Sequence, residues 1–394
     1  MKTIKDLNFN GKKALVRVDF NVPLDSESKV TDTTRIKAAK ATIDKIISDG
    51  GSVVLLSHLG RPKAFDVKLS LVHIVPSLEK ILGTSVKFLD STVGVEAEQA
   101  VAELKPGQIL LLENLRFHPE ETKGDVAFSK QLSKLGDIYV NDAFGTAHRS
   151  HASTAVVAQF FDTKVAGYLI EAELINTDKV LNGGSKPITA IMGGAKVSDK
   201  LLIIEKLLDV ADNIIIGGGM SYTFTKAAGG EIGGSLCEND LLSYVLELVD
   251  KAKAKGVKLI FPMDTLIGDA FSNDANTQVV QRGKIPAQWE GFDIGPDSVA
   301  QFSEIIKESK TIIWNGPMGV SEIPLYAQGT ISIAKAVKEA TKLGAFSLIG
   351  GGDSAAAINN LGFADDVSYV STGGGALLEY MEGKELPGIA ALRD

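Results

Sequence analysis

Short runs of apolar, β-branched residues alternate with longer segments of helical periodicity along the whole chain. The strand-like runs of the first half lie at 14–18, 53–56, 86–89, 109–112 and 138–140, with helical segments at 35–48, 70–82 and 126–135. Those of the second half lie at 188–192, 213–216, 258–261, 311–314, 346–349 and 368–370, separated by helical segments such as 201–210, 241–255 and 326–341. Strands that are apolar throughout and joined by helices are typical of parallel sheets covered on both faces.

The pattern therefore predicts the α/β class, as two doubly wound parallel-sheet (Rossmann-like) domains with a cleft between them. The boundary is expected near 164–167, with a helix over 168–181 that carries the chain into the second half. A length of 394 residues agrees with two domains, because a domain typically holds about 100 to 200 residues. Ligands of such sheets bind beyond the carboxyl ends of the strands, so the loops that follow them hold the candidate site residues.

Charge and cysteine content narrow the class of protein. The 41 basic and 49 acidic residues give a net charge of −8, which argues against nucleic acid or an anionic membrane as the main partner. The single cysteine, Cys237, cannot form an internal disulfide, and no apolar stretch approaches the length of a signal peptide core or a membrane span. We expect a cytoplasmic protein.

Arginine and histidine are concentrated in the first half, where they follow predicted strands. All five histidines lie between residues 58 and 151, as do three of the seven arginines. Three predicted strand ends each carry an arginine with a histidine within three residues, namely His58 with Arg61, Arg116 with His118, and His148 with Arg149. Convergent guanidinium groups favour a phosphate or carboxylate ligand. A metal site is the rival for the histidines, but none of them has the helical spacing of a zinc motif.

Three further polar residues of the first half belong to the same prediction. Asp19 and Asn21 follow the first strand, where they can bond a ligand hydroxyl or simply form an Asx turn before Pro23. Arg35 begins the first helix, where Thr33 and the residue after it can act as caps. From there its side chain can reach a carboxylate or a transferring group.

Glycine clusters at strand ends characterise the second half and indicate backbone contact with a nucleotide. Gly193 and Gly194 follow a strand, and Lys196 and Lys200 lie one turn apart at the start of the next helix. This is neither a Walker loop nor a dinucleotide fingerprint, and two solvated lysines remain the alternative.

The last two strands are followed by further glycine clusters. Gly350, Gly351 and Gly352 precede Asp353, a carboxylate suited to magnesium or, alternatively, to a helix N-cap. Amides at Gly373, Gly374 and Gly375 can receive an oxygen of a phosphoryl group in transfer. The segment 314–319 adds a rigid turn with Asn315, and Glu322 adds a carboxylate for ribose hydroxyls.

The motifs at 17–23, 57–62, 113–117, 193–196, 314–317 and 350–353 resemble, in this order, those of the phosphoglycerate kinase family along nearly the whole chain. The resemblance implies reversible, Mg²⁺-dependent phosphoryl transfer from 1,3-bisphosphoglycerate to ADP, giving 3-phosphoglycerate and ATP, with hinge closure of two domains. It implies a 3-phosphoglycerate domain at 1–167 with the tail 379–394, a nucleotide domain at 168–378, and a monomer.

Roles for individual residues also follow from the resemblance. It places 3-phosphoglycerate on Asp19, Asn21, Arg35, His58, Arg61, Arg116, His148 and Arg149. It gives Arg35, Lys196 and the amides of Gly373, Gly374 and Gly375 to the transferring group. It gives the nucleotide and its magnesium ion to Gly193, Gly194, Lys196, Lys200, Gly291, Asn315, Glu322, Gly350, Gly351, Gly352, Asp353 and Ser354, with Asp353 on the metal.

Three positions depart from the family pattern. Ser354 stands where threonine is common, Ser321 where an aromatic residue often precedes the glutamate, and Gly234 where a longer polar residue is frequent. Two other functions agree less well with the sequence. A ligand-capturing protein without chemistry leaves the glycine loops unexplained, and the intact Arg35, Lys196 and Asp353 oppose a catalytically silent scaffold.

Overall fold

Two six-stranded parallel sheets, each flanked by helices, organise residues 1–393, which the computed structural model describes. Contacts separate the chain into two units, Met1–Ile175 with 384–393, and Asn176–Gly383. Among residues 1–393, no helix combines the length and the apolar character that crossing a membrane requires.

The sheet of the first unit carries the loops predicted to bind an anion. Its strands are β1 (Lys13–Val18), β2 (Ser52–Leu56), β3 (Val86–Leu89), β4 (Ile109–Leu112), β5 (Ile138–Asp142) and β6 (Lys164–Ala166). They lie in the order β3-β4-β2-β1-β5-β6, and Val16 of β1 is opposite Leu55 on one side and Val140 on the other. The strand order changes direction between β1 and β5, which is where ligands of doubly wound sheets bind.

Helices cover both faces of this sheet. They are α1 (Thr34–Ser48), α2 (Val75–Leu82), α3 (Val95–Ala102), α4 (Pro119–Lys123) and α5 (Val126–Ser133). Short 3₁₀ helices occur at Ile4–Asp6, Val67–Leu69, Leu71–Ile74, Leu115–Phe117, Phe144–Thr146 and Val156–Phe160. Helix α2 ends at Gly83 in the left-handed region, and α5 begins at Asp125, whose carboxylate accepts a hydrogen bond from the Phe128 amide at 2.8 Å.

Apolar packing between strands and helices forms the core of the first unit. Val16, Leu55 and Leu111 of the central strands are fully buried and pack with Ile36 and Ile43 of α1. Burial of each such side chain contributes roughly 1.5–3 kcal/mol relative to exposure. The rigid core thereby fixes the points at which the chain leaves the sheet.

Helix α6 (Tyr168–Leu181) contains the division between the units and leads into the second sheet. The strands of the second unit are β7 (Ile188–Met192), β8 (Asn213–Ile216), β9 (Glu231–Ile232), β10 (Lys258–Ile260), β11 (Asp264–Gly268), β12 (Thr277–Gln281), β13 (Lys284–Ile285), β14 (Glu290–Ile294), β15 (Thr311–Asn315), β16 (Phe346–Gly350) and β17 (Tyr369–Val370). The main sheet has the order β10-β8-β7-β15-β16-β17, so its direction changes between β7 and β15.

The helices of the second unit pack around this sheet and its fully buried Trp314 and Ile349. They are α7 (Leu201–Leu207), α8 (Met220–Ala227), α9 (Leu242–Ala254), α10 (Pro296–Glu308), α11 (Gln328–Lys342), α12 (Gly352–Asn360) and α13 (Gly375–Met381). Short 3₁₀ helices lie at Asn239–Leu241, Pro324–Tyr326 and Ala364–Asp366.

The chain then returns to the first unit through α14 (Pro387–Ala390). The Gly388 amide donates to the Ala147 carbonyl at 2.8 Å, and the Gly388 carbonyl accepts from Asn141 Nδ2 at 3.2 Å. The C-terminal segment is thus bonded to the end of β5 and to the loop that follows it.

The predicted class, α/β with two parallel-sheet units, is confirmed. The hydrophobic pattern does not predict the antiparallel sheet β12-β11-β14 or the small pair β13-β9. Strand β12 is largely exposed and has the sequence TQVVQ, so it lacks the continuous apolar run by which the other strands were recognised. The predicted helix over 70–82 is divided into a 3₁₀ turn and α2.

Asp142, at the end of β5, is a fully buried carboxyl group that binds the start of α6. Its Oδ1 accepts a hydrogen bond from the Leu169 amide at 2.8 Å. Burial raises the pKa of Asp142 to about 7, although hydrogen bonds from Thr42, Leu169 and Ile170 oppose the shift. The folded protein therefore retains a proton that the unfolded chain, with a pKa near 3.8, releases.

This carboxyl group predicts a pH dependence of stability. Because the folded state binds the extra proton, the free energy of unfolding should fall as the pH rises from about 4 to about 7, by on the order of one to a few kcal/mol. Asp142→Asn keeps an oxygen acceptor for α6 and should lose this part of the dependence. Calorimetric melting of both proteins across that range provides the test, and parallel pH profiles would contradict the assignment.

Candidate active site

Loops after β2, β4 and β5 surround one cavity in the first unit. The cavity has a volume of about 420 Å³, and its basic lining includes Arg61, Arg116 and Arg149 together with His151. Each arginine comes from a different strand end, so the sheet converts three distant sequence positions into one cationic surface. Such a surface suits a phosphate or carboxylate, to which a guanidinium can donate two parallel hydrogen bonds.

Gly60 joins two of the predicted substrate residues. Its amide donates to Asn21 Oδ1 at 2.8 Å, and its carbonyl accepts from Arg116 Nη1 at 2.7 Å. The loop after β2 is thereby tied to the loops after β1 and β4. Asn21 uses its side-chain oxygen Oδ1 in this contact, so its side-chain nitrogen Nδ2 is the atom left for a ligand.

Arg35 and Asp19 form an ion pair beside this loop. Arg35 Nη1 lies 2.7 Å from Asp19 Oδ2, and Asp19 is almost fully buried whereas about a third of the Arg35 side chain is exposed. The partly exposed guanidinium retains donors for a ligand. The other Asp19 oxygen, Oδ1, accepts a hydrogen bond from the backbone amide of Asn21 at 3.2 Å.

His58 and His148 each meet an arginine. Nδ1 of His58 lies 3.2 Å from Nη2 of Arg17, and Nε2 of His148 accepts a hydrogen bond from Arg149 Nε at 3.1 Å. Burial, followed by the charges of Arg17 and other arginines, holds the pKa of His58 well below its usual value. His58 is therefore neutral at physiological pH.

Mutual repulsion among these cations also affects the other titrating groups. Burial and then the charges of Arg17 and Arg149 lower the pKa of Arg116 to about 10. Burial and then Arg116, Arg17 and Arg149 lower the pKa of His151 to about 4. The positive charge at this site is thus carried by arginine, and His58 and His151 contribute neutral imidazole.

In the second unit, glycines bring backbone loops together at the change of strand order between β7 and β15. The Gly193 amide donates to the Asn315 carbonyl, and the Gly194 amide to the Pro317 carbonyl, both at 3.0 Å. Gly218, after β8, has φ +64°, and a Cβ there would lie 2.6 Å from the nitrogen and oxygen of Gly194. These loops can meet only because side chains are absent.

Lys200 lies beside these glycine loops, directly before α7. Its ammonium group donates to Asn315 Oδ1, and burial lowers its pKa although Asp199 and Asp353 act in the opposite direction. Lys196 is exposed on the preceding turn. Lys200, Asn315 and Asp353 are therefore neighbours, whereas Lys196 projects to solvent.

A cavity of about 330 Å³ adjoins these loops. It is lined by Gly194, Ala195, Gly218, Gly219, Leu236, Phe271, Glu290, Gly291, Phe292, Pro317, Gly319, Val320, Glu322 and Asp353. A Cβ at Gly291 would lie 2.2 Å from the Tyr222 hydroxyl oxygen, so only glycine fits there. The departures Ser321 and Gly234 lie nearby: Ser321 lines an adjoining cavity, and Gly234 is next to Glu290.

The remaining two glycine clusters lie at the starts of α12 and α13. Gly351 is the N-cap of α12 with φ +86°, and Gly374 is the N-cap of α13 with φ +51°. The Gly373 amide donates to Ser371 Oγ at 3.0 Å and is already occupied. Ser354 is fully buried, and its hydroxyl accepts the Gly316 amide at 2.7 Å, so it supports the turn after β15.

Comparison with known proteins decides the family. The family model for phosphoglycerate kinase matches residues 4–384. The chain belongs to the phosphoglycerate kinase family. It is 52% identical to the phosphoglycerate kinase of Porphyromonas gingivalis, over 99% of this chain and 100% of the relative, and 50% identical to the cytosolic phosphoglycerate kinase 3 of Arabidopsis thaliana, over 99% and 97%.

Solved structures agree with this assignment. The phosphoglycerate kinase of Coxiella burnetii has a TM-score of 0.87 at 39% identity, covering 99% of this chain and 98% of its own. That of Pyrococcus horikoshii has a TM-score of 0.86 at 31% identity, covering 100% and 98%. As a phosphoglycerate kinase, the chain is a glycolytic phosphotransferase that uses ATP and ADP as co-substrates and transfers a phosphoryl group to and from a carboxyl group.

Several residues in or beside these two cavities were not among the predicted site residues. Arg17 and His151 lie in the first unit, and Phe271 and Phe292 line the cavity of the second. Arg17 had one available signal, a charged residue inside an otherwise apolar strand. The aromatic residues had none, because Phe271 lies in the loop between β11 and β12, and Phe292 lies in β14 of the antiparallel sheet, which the sequence pattern did not predict.

The surroundings of His151 predict that it does not titrate near neutral pH. Its pKa of about 4, against 6.5 ordinarily, means that the folded protein binds fewer protons than the unfolded chain between those values, so acidification through this range should destabilise the fold. Histidine NMR titration, with His151→Gln to assign the signal, should show no midpoint between about pH 5 and 8. A midpoint near the ordinary value would contradict this picture of the site.

Proposed function

We propose that the first unit binds 3-phosphoglycerate or 1,3-bisphosphoglycerate, that the second binds ADP or ATP, and that the phosphoryl group passes directly between them. The observation that carries the proposal is the convergence of Arg61, Arg116 and Arg149 on one cavity. In this proposal, residues 1–167 with 379–394 form the substrate domain, and residues 168–378 form the nucleotide domain.

The substrate's phosphate is assigned to the arginine cavity. Arg61, Arg116 and Arg149 supply permanent charge and forked donors for its oxygens. Asp19, Asn21, His58 and His148 are assigned to the hydroxyl and carboxylate of the same molecule, because they offer both acceptors and neutral donors. Arg35 is then left to face the acyl phosphate.

The nucleotide is assigned to the glycine-lined cavity of the second unit. The base would occupy the part formed by Gly291, Leu236 and the two phenylalanines, and Glu322 would accept the ribose hydroxyls. Lys200 with Asn315, and the glycine loops at Gly193, Gly194 and 350–352, are assigned to the phosphates. The amides of Gly193 and Gly194 themselves donate to the Asn315 and Pro317 carbonyls, so these two glycines contribute the close approach of the backbone. Ser354 is assigned to the nucleotide as well, and its hydroxyl also accepts the Gly316 amide, which supports the turn after β15.

Asp353 fits a magnesium ion that accompanies the nucleotide. Its carboxylate lines the nucleotide cavity, and oxygen is the donor that this ion prefers. Within residues 1–393, no group of three histidine, cysteine or acidic side chains is arranged to hold a metal ion, so the phosphates would supply most ligands. When bound, the ion neutralises charge on the phosphate oxygens.

Catalysis in this proposal needs no proton transfer. The attacking and leaving atoms are carboxylate and phosphate oxygens, which are ionised at neutral pH, so positioning and charge neutralisation supply most of the rate. Arg35 and Lys196 would contact the transferring group, joined by the amides of Gly374 and Gly375. Gly373 would join them only if its amide leaves Ser371.

The proposal includes domain closure, because the assigned groups lie in two separate units. Closure over both ligands would exclude water, which otherwise hydrolyses an acyl phosphate. We further propose a cytoplasmic protein without nucleic-acid or membrane partners, in keeping with the net charge of −8 and the single cysteine. That it is a monomer is proposed from the family resemblance.

Two substitutions should separate catalysis from binding in a coupled assay of ATP formation from 1,3-bisphosphoglycerate and ADP. Arg35→Ala should lower kcat by about 100-fold or more while leaving the Kd for ADP unchanged. Lys200→Ala should raise that Kd about tenfold. Arg393→Ala and Lys206→Ala are the matched controls, as they remove the same side chains elsewhere. A Lys200→Ala protein with normal ADP affinity would contradict the nucleotide assignment.

Closure should appear in solution as compaction. The radius of gyration, measured by small-angle X-ray scattering, should be smallest when 3-phosphoglycerate and a nonhydrolysable ATP analogue are both bound, and larger with either ligand alone. Distance measurements between spin labels on exposed positions of the two units provide a second readout. An unchanged scattering curve in the ternary complex would exclude the closure step.

A further inference from the structure

Arg17 is a fully buried arginine in the middle of the first unit whose three nitrogens all have partners. Nε donates to Ser153 Oγ at 2.8 Å, Nη1 donates to the Val18 carbonyl, and Nη2 lies 3.2 Å from Nδ1 of His58. Burying a guanidinium is costly unless its donors are satisfied, so these contacts hold it in place.

The contact with His58 has a definite proton arrangement. A guanidinium donates hydrogen bonds and cannot accept them, so Nδ1 of His58 must present a lone pair to Arg17. The ring is then neutral and carries its proton on Nε2. Within residues 1–393 that nitrogen has no hydrogen-bond partner, so it remains for a ligand.

Asp19 favours the opposite arrangement. Its Oδ1 lies 4.0 Å from the same Nδ1, and a carboxylate at this distance attracts a proton to that nitrogen. Arg17 is closer and opposes it. We propose that Arg17 is a positioning residue for the known reaction, which holds His58 in the neutral tautomer with Nε2–H directed to the substrate.

A buried network keeps Arg17 from turning away. Ser153 Oγ, which accepts from Arg17, itself donates to Glu121 Oε1 at 2.6 Å, and the Ser153 amide donates to Glu121 Oε2 at 3.0 Å. Ser153 and Glu121 are both fully buried. The guanidinium is thus anchored on one side while it contacts His58 on the other.

The charged surroundings agree with a neutral ring. Besides Asp19, the groups that act on His58 are Arg17, Arg116, Arg35 and His151, and burial, followed by the charges of the three arginines, lowers its pKa. His58 then serves as a hydrogen-bond donor without adding a further positive charge. Its donation to 3-phosphoglycerate rests on the proposed function, whereas the tautomer does not.

Nitrogen-15 NMR of the histidine rings in the full-length protein tests the tautomer directly. In the wild type, with His58→Gln for assignment, Nδ1 should show the shift of an unprotonated nitrogen and Nε2 that of a protonated one, unchanged between about pH 6 and 8. In Arg17→Met, Asp19 should draw a proton to Nδ1. A protonated Nδ1 in the wild type would overturn the proposal, even if Arg17→Met fails to fold.

Ser153→Ala is the matched control, because it disturbs the same buried network without removing the donor to His58. It should keep the wild-type tautomer. Loss of the tautomer in Ser153→Ala to the same extent as in Arg17→Met would overturn the proposal, since general disruption would then explain both.

Kinetics in the direction of ATP consumption give the functional readout. Arg17→Met should raise the KM for 3-phosphoglycerate about tenfold and leave the KM for ATP unchanged, and Arg17→Lys should recover part of the loss. Equal changes in both KM values would overturn the positioning role. A correct tautomer with no shift of His58 on adding 3-phosphoglycerate would instead count against the proposed substrate site.

Discussion

Parallel pairing at the point where the strand order changes direction is the constraint on which the rest of this structure depends. In the first unit β1 lies between β2 and β5, and in the second β15 lies between β7 and β16. Because these strands are buried and in fixed register, the residues that follow them leave the sheet at neighbouring positions. The arginine loops and the glycine loops are therefore products of sheet topology, and neither set is close together in sequence.

Gathering cations at one edge of a sheet opposes folding, and the structure shows how the first unit limits that repulsion. Asp19 pairs with Arg35, and the buried Glu121 is linked to Arg17 through Ser153. The depressed pKa values of His58 and His151 have the same effect, since a neutral imidazole adds no charge to the cluster. The site stays strongly positive because arginine remains charged where histidine does not.

The sequence was sufficient for the parts of the fold that have one strong local signal. The apolar runs predicted the strands of both parallel sheets, and the residues that follow these runs predicted the arginine loops and the glycine loops. It was insufficient where the signal depends on tertiary contacts. Strand β12 is polar because it is exposed, and no sequence pattern indicates that the Ser354 hydroxyl accepts the Gly316 amide or that the Gly373 amide donates to Ser371. Hydrogen bonds within loops leave no periodic pattern in the sequence, so they could not be predicted from it.

The two units use different chemistry for anionic ligands, and the reason is steric. The long side chains of Arg61, Arg116 and Arg149 line a cavity in the first unit, so contacts there are set by side-chain geometry. In the second unit the loops approach so closely that a Cβ at Gly218 or Gly291 would collide with a neighbouring atom. No side chain fits at these two positions, and the adjoining cavity is lined by glycine backbone, by apolar side chains such as Leu236, Phe271 and Phe292, and by a few carboxyl groups. A compact phosphate suits the first surface, whereas a flat base with a phosphate chain suits the second.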